Sequence, residues 1–168
     1  EWLDRLAAPR PSFAGLALDR PLLMGVVNVT PDSFSDGGDH ATAAQAIAHG
    51  RRLRAEGADI LDVGGESTRP GAAPVAVEEE LNRVVTVVRT LAAEGIPISI
   101  DTRRAPVMQA AVAAGARIVN DVTALTGDPD SLGVVAASGA SVILMHMQGE
   151  PLTMQRAPAY GHAPSDIY

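Results

Sequence analysis

Cysteine and lysine are both absent from the 168 residues, and aromatic side chains make up only 3%. Without cysteine there is no disulfide, thiolate metal site or catalytic thiol. Without lysine there is no Schiff base, which argues against a lysine-dependent aldolase or a pyridoxal-phosphate enzyme. With so few aromatics, the core must be built from Val, Ile, Leu and Ala, and the 46% apolar content is ordinary for a globular domain. Positive charge is scarce too: 13 arginines face 20 acidic residues, for a net charge of −7. That balance argues against nucleic-acid binding, which needs clustered positive charge, but leaves small anions wherever a few arginines converge. No apolar run approaches the roughly 20 residues that span a bilayer. The start, EWLDRLAAPRPSF, lacks a basic region followed by an apolar one. The expectation is a soluble cytoplasmic chain with no membrane partner.

What is present is a repeated kind of strand ending. Five short apolar runs end in polar clusters: VVNVTPDSFSDGG from Val26, ILDVGGESTRPG from Ile60, ISIDT from Ile98, IVNDVT from Ile118 and VILMHMQG from Val142. Polar groups at the ends of buried strands are where α/β enzymes keep their sites. Strands are expected near 22–28, 58–63, 96–101, 117–121 and 141–145, the first of them buried on both faces. Between them lie helical patterns. Thr42 with Gln45 matches a capping box for a helix through about Glu56, stopped by Gly57. Val77, Leu81, Val84, Val85, Val88 and Leu91 follow the helical period, with Glu78, Glu79 and Glu80 as a solvated first turn and Gly95 as the stop. Pro106 opens a helix ending near Gly115, and Asp128-Pro129 caps another that Gly139 closes.

The fold class expected is α/β, a parallel (β/α)8 barrel type with about the first five βα units present, since a full barrel takes about 250 residues. An open doubly wound sheet is the alternative, but no GxGxxG follows the first strand. As a single incomplete domain, 1–168 divides into a lead-in over 1–21, five units over 22–146, and a loop over 147–168 leading toward a helix the chain does not contain. The lead-in can add a short strand under the barrel floor.

Several strand-end residues suit chemistry. Asn28 offers an amide oxygen to a hard cation such as Mg²⁺, or an amide to a ligand. Asp32, Ser33, Ser35 and Asp36 read as turn formers around Phe34, an aromatic that suits a lid over a flat ligand. Thr68 and Arg69 suit phosphate oxygens, and the Pro70-Gly71 turn implies a fixed loop. Asp101 and Asn120 end strands of one sheet and together present a carboxylate and an amide able to read the edge of a heterocycle. Asp62 and Asp121 read as supports for their neighbours. His146 is either a ligand contact or a buried histidine bonded to backbone. No HxH or HExxH spacing supports zinc.

The stretches MGVVNVTPDSFSDGG from Met24, DVGGESTRPGA from Asp62, SIDT from Ser99, IVNDV from Ile118 and LMHMQG from Leu144 together resemble the bacterial dihydropteroate synthase family. The resemblance implies a (β/α)8 barrel that condenses a dihydropterin diphosphate with 4-aminobenzoate, assisted by Mg²⁺, with a homodimer as the full-length assembly. It places Asn28 near the metal and diphosphate, Asp101 and Asn120 on the pterin ring, and Met145 at the pterin-pocket wall; His146, next to it, is the further substrate-binding candidate. It places Phe34 and Asp36 on a first catalytic loop, and Thr68, Arg69 and Pro70 on a second that shapes the aminobenzoate pocket, Arg69 with a catalytic part. The family's sixth to eighth barrel blocks have no counterparts here. The chain by itself is therefore expected to be inactive or nearly so. A pterin-dependent methyltransferase domain and a non-catalytic pterin-binding half are the alternatives.

Overall fold

The computed structural model describes residues 8, 11–30, 38–66, 75–150, 153–155 and 157–167. In chain order they form β1 (Met24–Asn28), α1 (Gly38–Ala55), β2 (Ile60–Gly64), α2 (Val77–Ala93), β3 (Ile98–Asp101), α3 (Ala105–Ala113), β4 (Ile118–Asp121), α4 (Ser131–Ser138), β5 (Ser141–Leu144) and α5 (Ala163–Ile167). The strands form one parallel sheet in the order β1-β2-β3-β4-β5. Strand order never reverses. Right-handed crossovers that always step in the same direction put every connecting helix on the same face. A doubly wound sheet reverses its order and carries helices on both faces; this sheet is therefore of the barrel type.

Strand alternation divides the apolar residues between the two faces. Val27, Leu61, Val63, Ile98, Ile100 and Val119 face the helices and pack with Val84, Val87, Val88, Leu91, Val107 and Met108 into the main core. Helix α2 supplies much of this, its stripe of valines and Leu91 fully covered. Residues of the other parity, among them Asp62, Ser99, Asp101 and Asn120, line the opposite, inner face. That face carries the polar groups.

Five expectations need correction. Strand β1 is not buried on both faces: Val26 is 53% exposed and Asn28 is exposed, whereas Val27, of the opposite parity, is fully buried against the helices. Thr42 lies inside α1, which starts at Gly38, since two residues three apart fit a helix interior as readily as a cap. The Asp128 carboxylate receives the Ala105 N–H at 3.0 Å and so caps the start of α3; at α4 it only holds the Asp130 N–H, also at 3.0 Å. The first turn of α2 is not all solvated, because Glu80 is fully buried. The tail does contain a helix. Helix α5 is five residues long, too short for periodicity to show, and His162 N–H donates to Asp166 Oδ2 at its start.

The lead-in meets the lower end of the sheet. Phe13 and Leu16 pair in an isolated bridge, and Ala14 N–H donates to Ser141 Oγ at the start of β5.

Candidate active site

Strand register lines up the inner-face residues in two rows. The lower runs Val26, Asp62, Ser99, Ile118, Ser141, and the upper runs Asn28, Gly64, Asp101, Asn120, Ile143 at the strands' C-terminal ends. Asp101 and Asn120 are direct partners across β3 and β4. Both are partly exposed while their strands are otherwise buried, so their polar ends reach the open side of the sheet. Asn28 stands two strands from Asp101 on the same row, across the side-chain-free gap at Gly64.

Two carboxylates, Asp62 and Asp101, meet the Asn120 amide here with little charge compensation. Asn120 Nδ2 donates to Asp62 Oδ2 at 3.0 Å. Asp62 is only 6% exposed, and its other oxygen has no hydrogen-bond partner; neither does the buried hydroxyl of its register partner Ser99. The Asp101 carboxylate finds no hydrogen-bond donor among the described residues. Burial, and then the nearby negative charges of Asp62, Glu80, Asp121 and Glu66, push its pKa up to about 7. Asp101 is thus poised to exchange a proton near neutrality, or to meet a ligand that brings donors.

Beside this pocket an ionic cluster ties together the ends of β2 and β3. Glu66 receives Arg103 Nε at 3.1 Å and Arg104 Nη2 at 3.1 Å, and also the Val75 N–H at 3.3 Å. Arg104 reaches on to Glu80, its Nε 3.4 Å from Oε2, while Thr102 Oγ1 donates to Glu80 Oε1 at 2.7 Å. Burial raises the Glu66 pKa, but Arg103, the Val75 N–H and Arg104 more than reverse this, and Glu66 titrates below its ordinary value. In Glu80 burial prevails over Thr102 and Arg104, and its pKa is raised. Gly65 allows the start of α2 to come this close, since a Cβ there would sit 2.8 Å from Val84 Cγ1 and 3.0 Å from Glu80 Cγ. Sequence reasoning missed Glu66, Glu80, Thr102, Arg103 and Arg104. The available signal was the run Asp101-Thr-Arg-Arg beside a strand-end glutamate in a chain poor in positive charge.

The other expected residues divide. Asp121 is a support, its carboxylate receiving Thr123 N–H, Thr123 Oγ1 and Leu125 N–H. Met145 is half-buried just beyond β5 and continues the half-buried positions Ser141 and Ile143, so it adjoins the upper row. His146 is exposed and pairs through Nε2 with Tyr160 Oη at 3.0 Å, not with backbone. Phe34, Asp36, Thr68, Arg69 and Pro70, with Asp32, Ser33 and Ser35, lie outside the described residues. Among the described residues no cluster of three His, Cys, Asp or Glu side chains is arranged to hold a metal ion, and no helix is long and apolar enough to cross a membrane.

Known proteins share this arrangement. Dihydropteroate synthase of Escherichia coli K12 is 51% identical over 146 residues, 86% of this chain and 51% of that protein. The Synechocystis synthase is 48% identical over 96% of this chain and 58% of its own length. The chain thus spans about half the length of the curated relatives it matches. Among solved structures, the Xanthomonas albilineans dihydropteroate synthase with 4-aminobenzoic acid superposes with a TM-score of 0.82 at 54% identity, covering 95% of this chain and 57% of the other. The same enzyme in complex with 7,8-dihydropteroate gives 0.75 at 51% identity, covering 90% and 52%. The profile described as "Pterin binding enzyme" matches residues 24–166 and so takes in both rows of the inner face. With its strand order, its polar strand ends and this match in agreement, the chain belongs to the pterin binding enzyme family.

Proposed function

We propose that the chain serves dihydropteroate synthesis, the condensation of 6-hydroxymethyl-7,8-dihydropterin diphosphate with 4-aminobenzoate to give 7,8-dihydropteroate and diphosphate. The observation that carries this reading is the register pairing of Asp101 with Asn120 on an open inner face. A half-buried carboxylate with no donor of its own among the described residues, beside an amide, complements the N–H-bearing edge of a pterin ring. As diphosphate leaves, the pterin methylene becomes cation-like, and the aromatic amine attacks it. Negative charge held close to the ring favours that developing cation, and no protein nucleophile is needed. A chain without cysteine or lysine fits this chemistry.

The catalytic loop roles of Phe34, Asp36 and Arg69, and the substrate contacts of Thr68 and Pro70, belong to the same proposal. So do the pocket contacts of Met145 and His146; the Met145 position supports its part, while the Tyr160 pairing of His146 must open for a ligand contact. Asn28 would hold Mg²⁺ only as one neutral oxygen among waters and diphosphate oxygens, a manner of binding that suits this ion. When bound, Mg²⁺ would neutralise charge on the departing diphosphate. A cytoplasmic site of action is the natural one for a diphosphate-bearing substrate, and the assembly proposed for the full-length protein is a homodimer.

The alternative reading is a chain that binds pterin without coupling it. Calorimetry with the pterin diphosphate, followed by addition of labelled aminobenzoate, separates the two. Binding with product formation supports the synthase, binding alone supports the non-catalytic module, and absence of binding defeats both.

A further inference from the structure

We infer that Asp62 is a positioning residue, whose hydrogen bond to Asn120 turns the Asn120 amide so that its carbonyl oxygen faces the pocket. The inference deepens the pterin reading and rests on it for the identity of the ligand. An asparagine amide has one donating and one accepting end, and a carboxylate can only accept. With Nδ2 held 3.0 Å from Asp62 Oδ2, the Asn120 oxygen is the end left for the open side, where no described residue donates to it. The pocket wall then shows acceptors at both upper-row positions, Asp101 and Asn120. It selects a heterocycle that presents N–H groups there and disfavours one that presents ring oxygens.

The reach of this bond argues that it is built. Asp62 lies on β2 and Asn120 on β4, so the bond passes across β3 at the level of Ser99, a small residue whose hydroxyl makes no bond of its own. A carboxylate 6% exposed, with one oxygen unpartnered, is costly to keep in a fold, yet its single hydrogen bond is spent on a strand-end amide. A packing role would be met at lower cost by an apolar residue.

The test has two arms. In ¹⁵N spectra of the full 168-residue chain, the Asn120 side-chain NH₂, identified by its loss in Asn120→Ala, is expected to show one proton protected from exchange. That protection should vanish in Asp62→Ala. An Asn120 NH₂ that is indifferent to Asp62→Ala overturns the inference, whether or not a pterin binds. In calorimetric titrations with 6-hydroxymethyl-7,8-dihydropterin diphosphate, Asp62→Ala and Asn120→Ala should each raise Kd by about tenfold or more. At a pH well above 7, where Asp101 is ionised with or without Asp62 beside it, the double variant should be no weaker than Asn120→Ala alone, because Asp62 then acts through Asn120. Losses that multiply in the double variant indicate an independent structural role and overturn the inference. Should Asp62→Ala fail to fold, Asp62→Asn keeps the volume and permits both amide orientations. It is expected to show an intermediate Kd, and a wild-type Kd with unchanged NH₂ exchange would overturn the inference. If the wild-type chain binds no pterin, the pterin reading fails and the spectra still decide the role of Asp62.

Discussion

Asp101 shows how one side chain's surroundings set its chemistry. Its folded pKa of about 7 lies well above its ordinary 3.8. Between those values the folded chain holds a proton that the unfolded chain has released, so the contribution of Asp101 to stability is intact below about 4 and is lost as pH rises through 7. Asp101→Asn removes that slope. Relative to wild type, it should be more stable at pH 8 than at pH 4 by on the order of 2–4 kcal/mol, read from urea unfolding at the two pH values. Parallel profiles for the two proteins would contradict the assignment. Ligand binding should follow the same group in the opposite sense, since a ring N–H is best received by the ionised carboxylate: pterin affinity is expected to rise with a midpoint near pH 7. Asp101 and Asn120 were legible in the sequence because a polar residue ending an apolar run stands out. Glu80 was not, because its partners Thr102 and Arg104 come from beyond β3, and nothing in the run Glu78-Glu79-Glu80 distinguishes the third glutamate.

At the level of elements, the junction of β2 with α2 is the tightest place near the site. Gly65→Ala would drive a methyl into Val84 and the Glu80 stem, and a cost of roughly 1–3 kcal/mol is expected, seen as a lowered Tm. Gly64→Ala is the control. Its Cβ would meet the Asp101 side chain at 3.5 Å, an ordinary contact, and stability should change by less than about 0.5 kcal/mol. Glu66→Ala leaves Arg103 and Arg104 without their shared carboxylate and should cost roughly 1–3 kcal/mol in urea unfolding. The helices and strands themselves were readable, since apolar period and glycine stops fall where α2 and α3 lie. Cap assignments fared worse. The Asp128 carboxylate serves a helix that precedes it in the chain, a partnership made by the sheet and invisible to local spacing.

For the whole molecule, the sequential strand order means that each βα unit leans on its immediate neighbours and on little else. The barrel type could be anticipated from the recurrence of strand endings; the order itself needed the structure, because apolar runs carry no record of which strand lies beside which. Val26 on β1 and Val142 and Leu144 on β5 are left exposed at the two sheet edges. Among the described strands β1 and β5 are each paired on one side only, and strands so placed open more readily than strands paired on both sides. Backbone amides of β2, β3 and β4 are therefore expected to exchange with deuterium most slowly and those of β1 and β5 markedly faster. Uniform protection across the five strands would show a single cooperative block. The consequence for the pocket is one of timing: Asp101 and Asn120, carried on interior strands, would be the last part of the inner face to melt and the first to be ready for a ligand as the chain refolds.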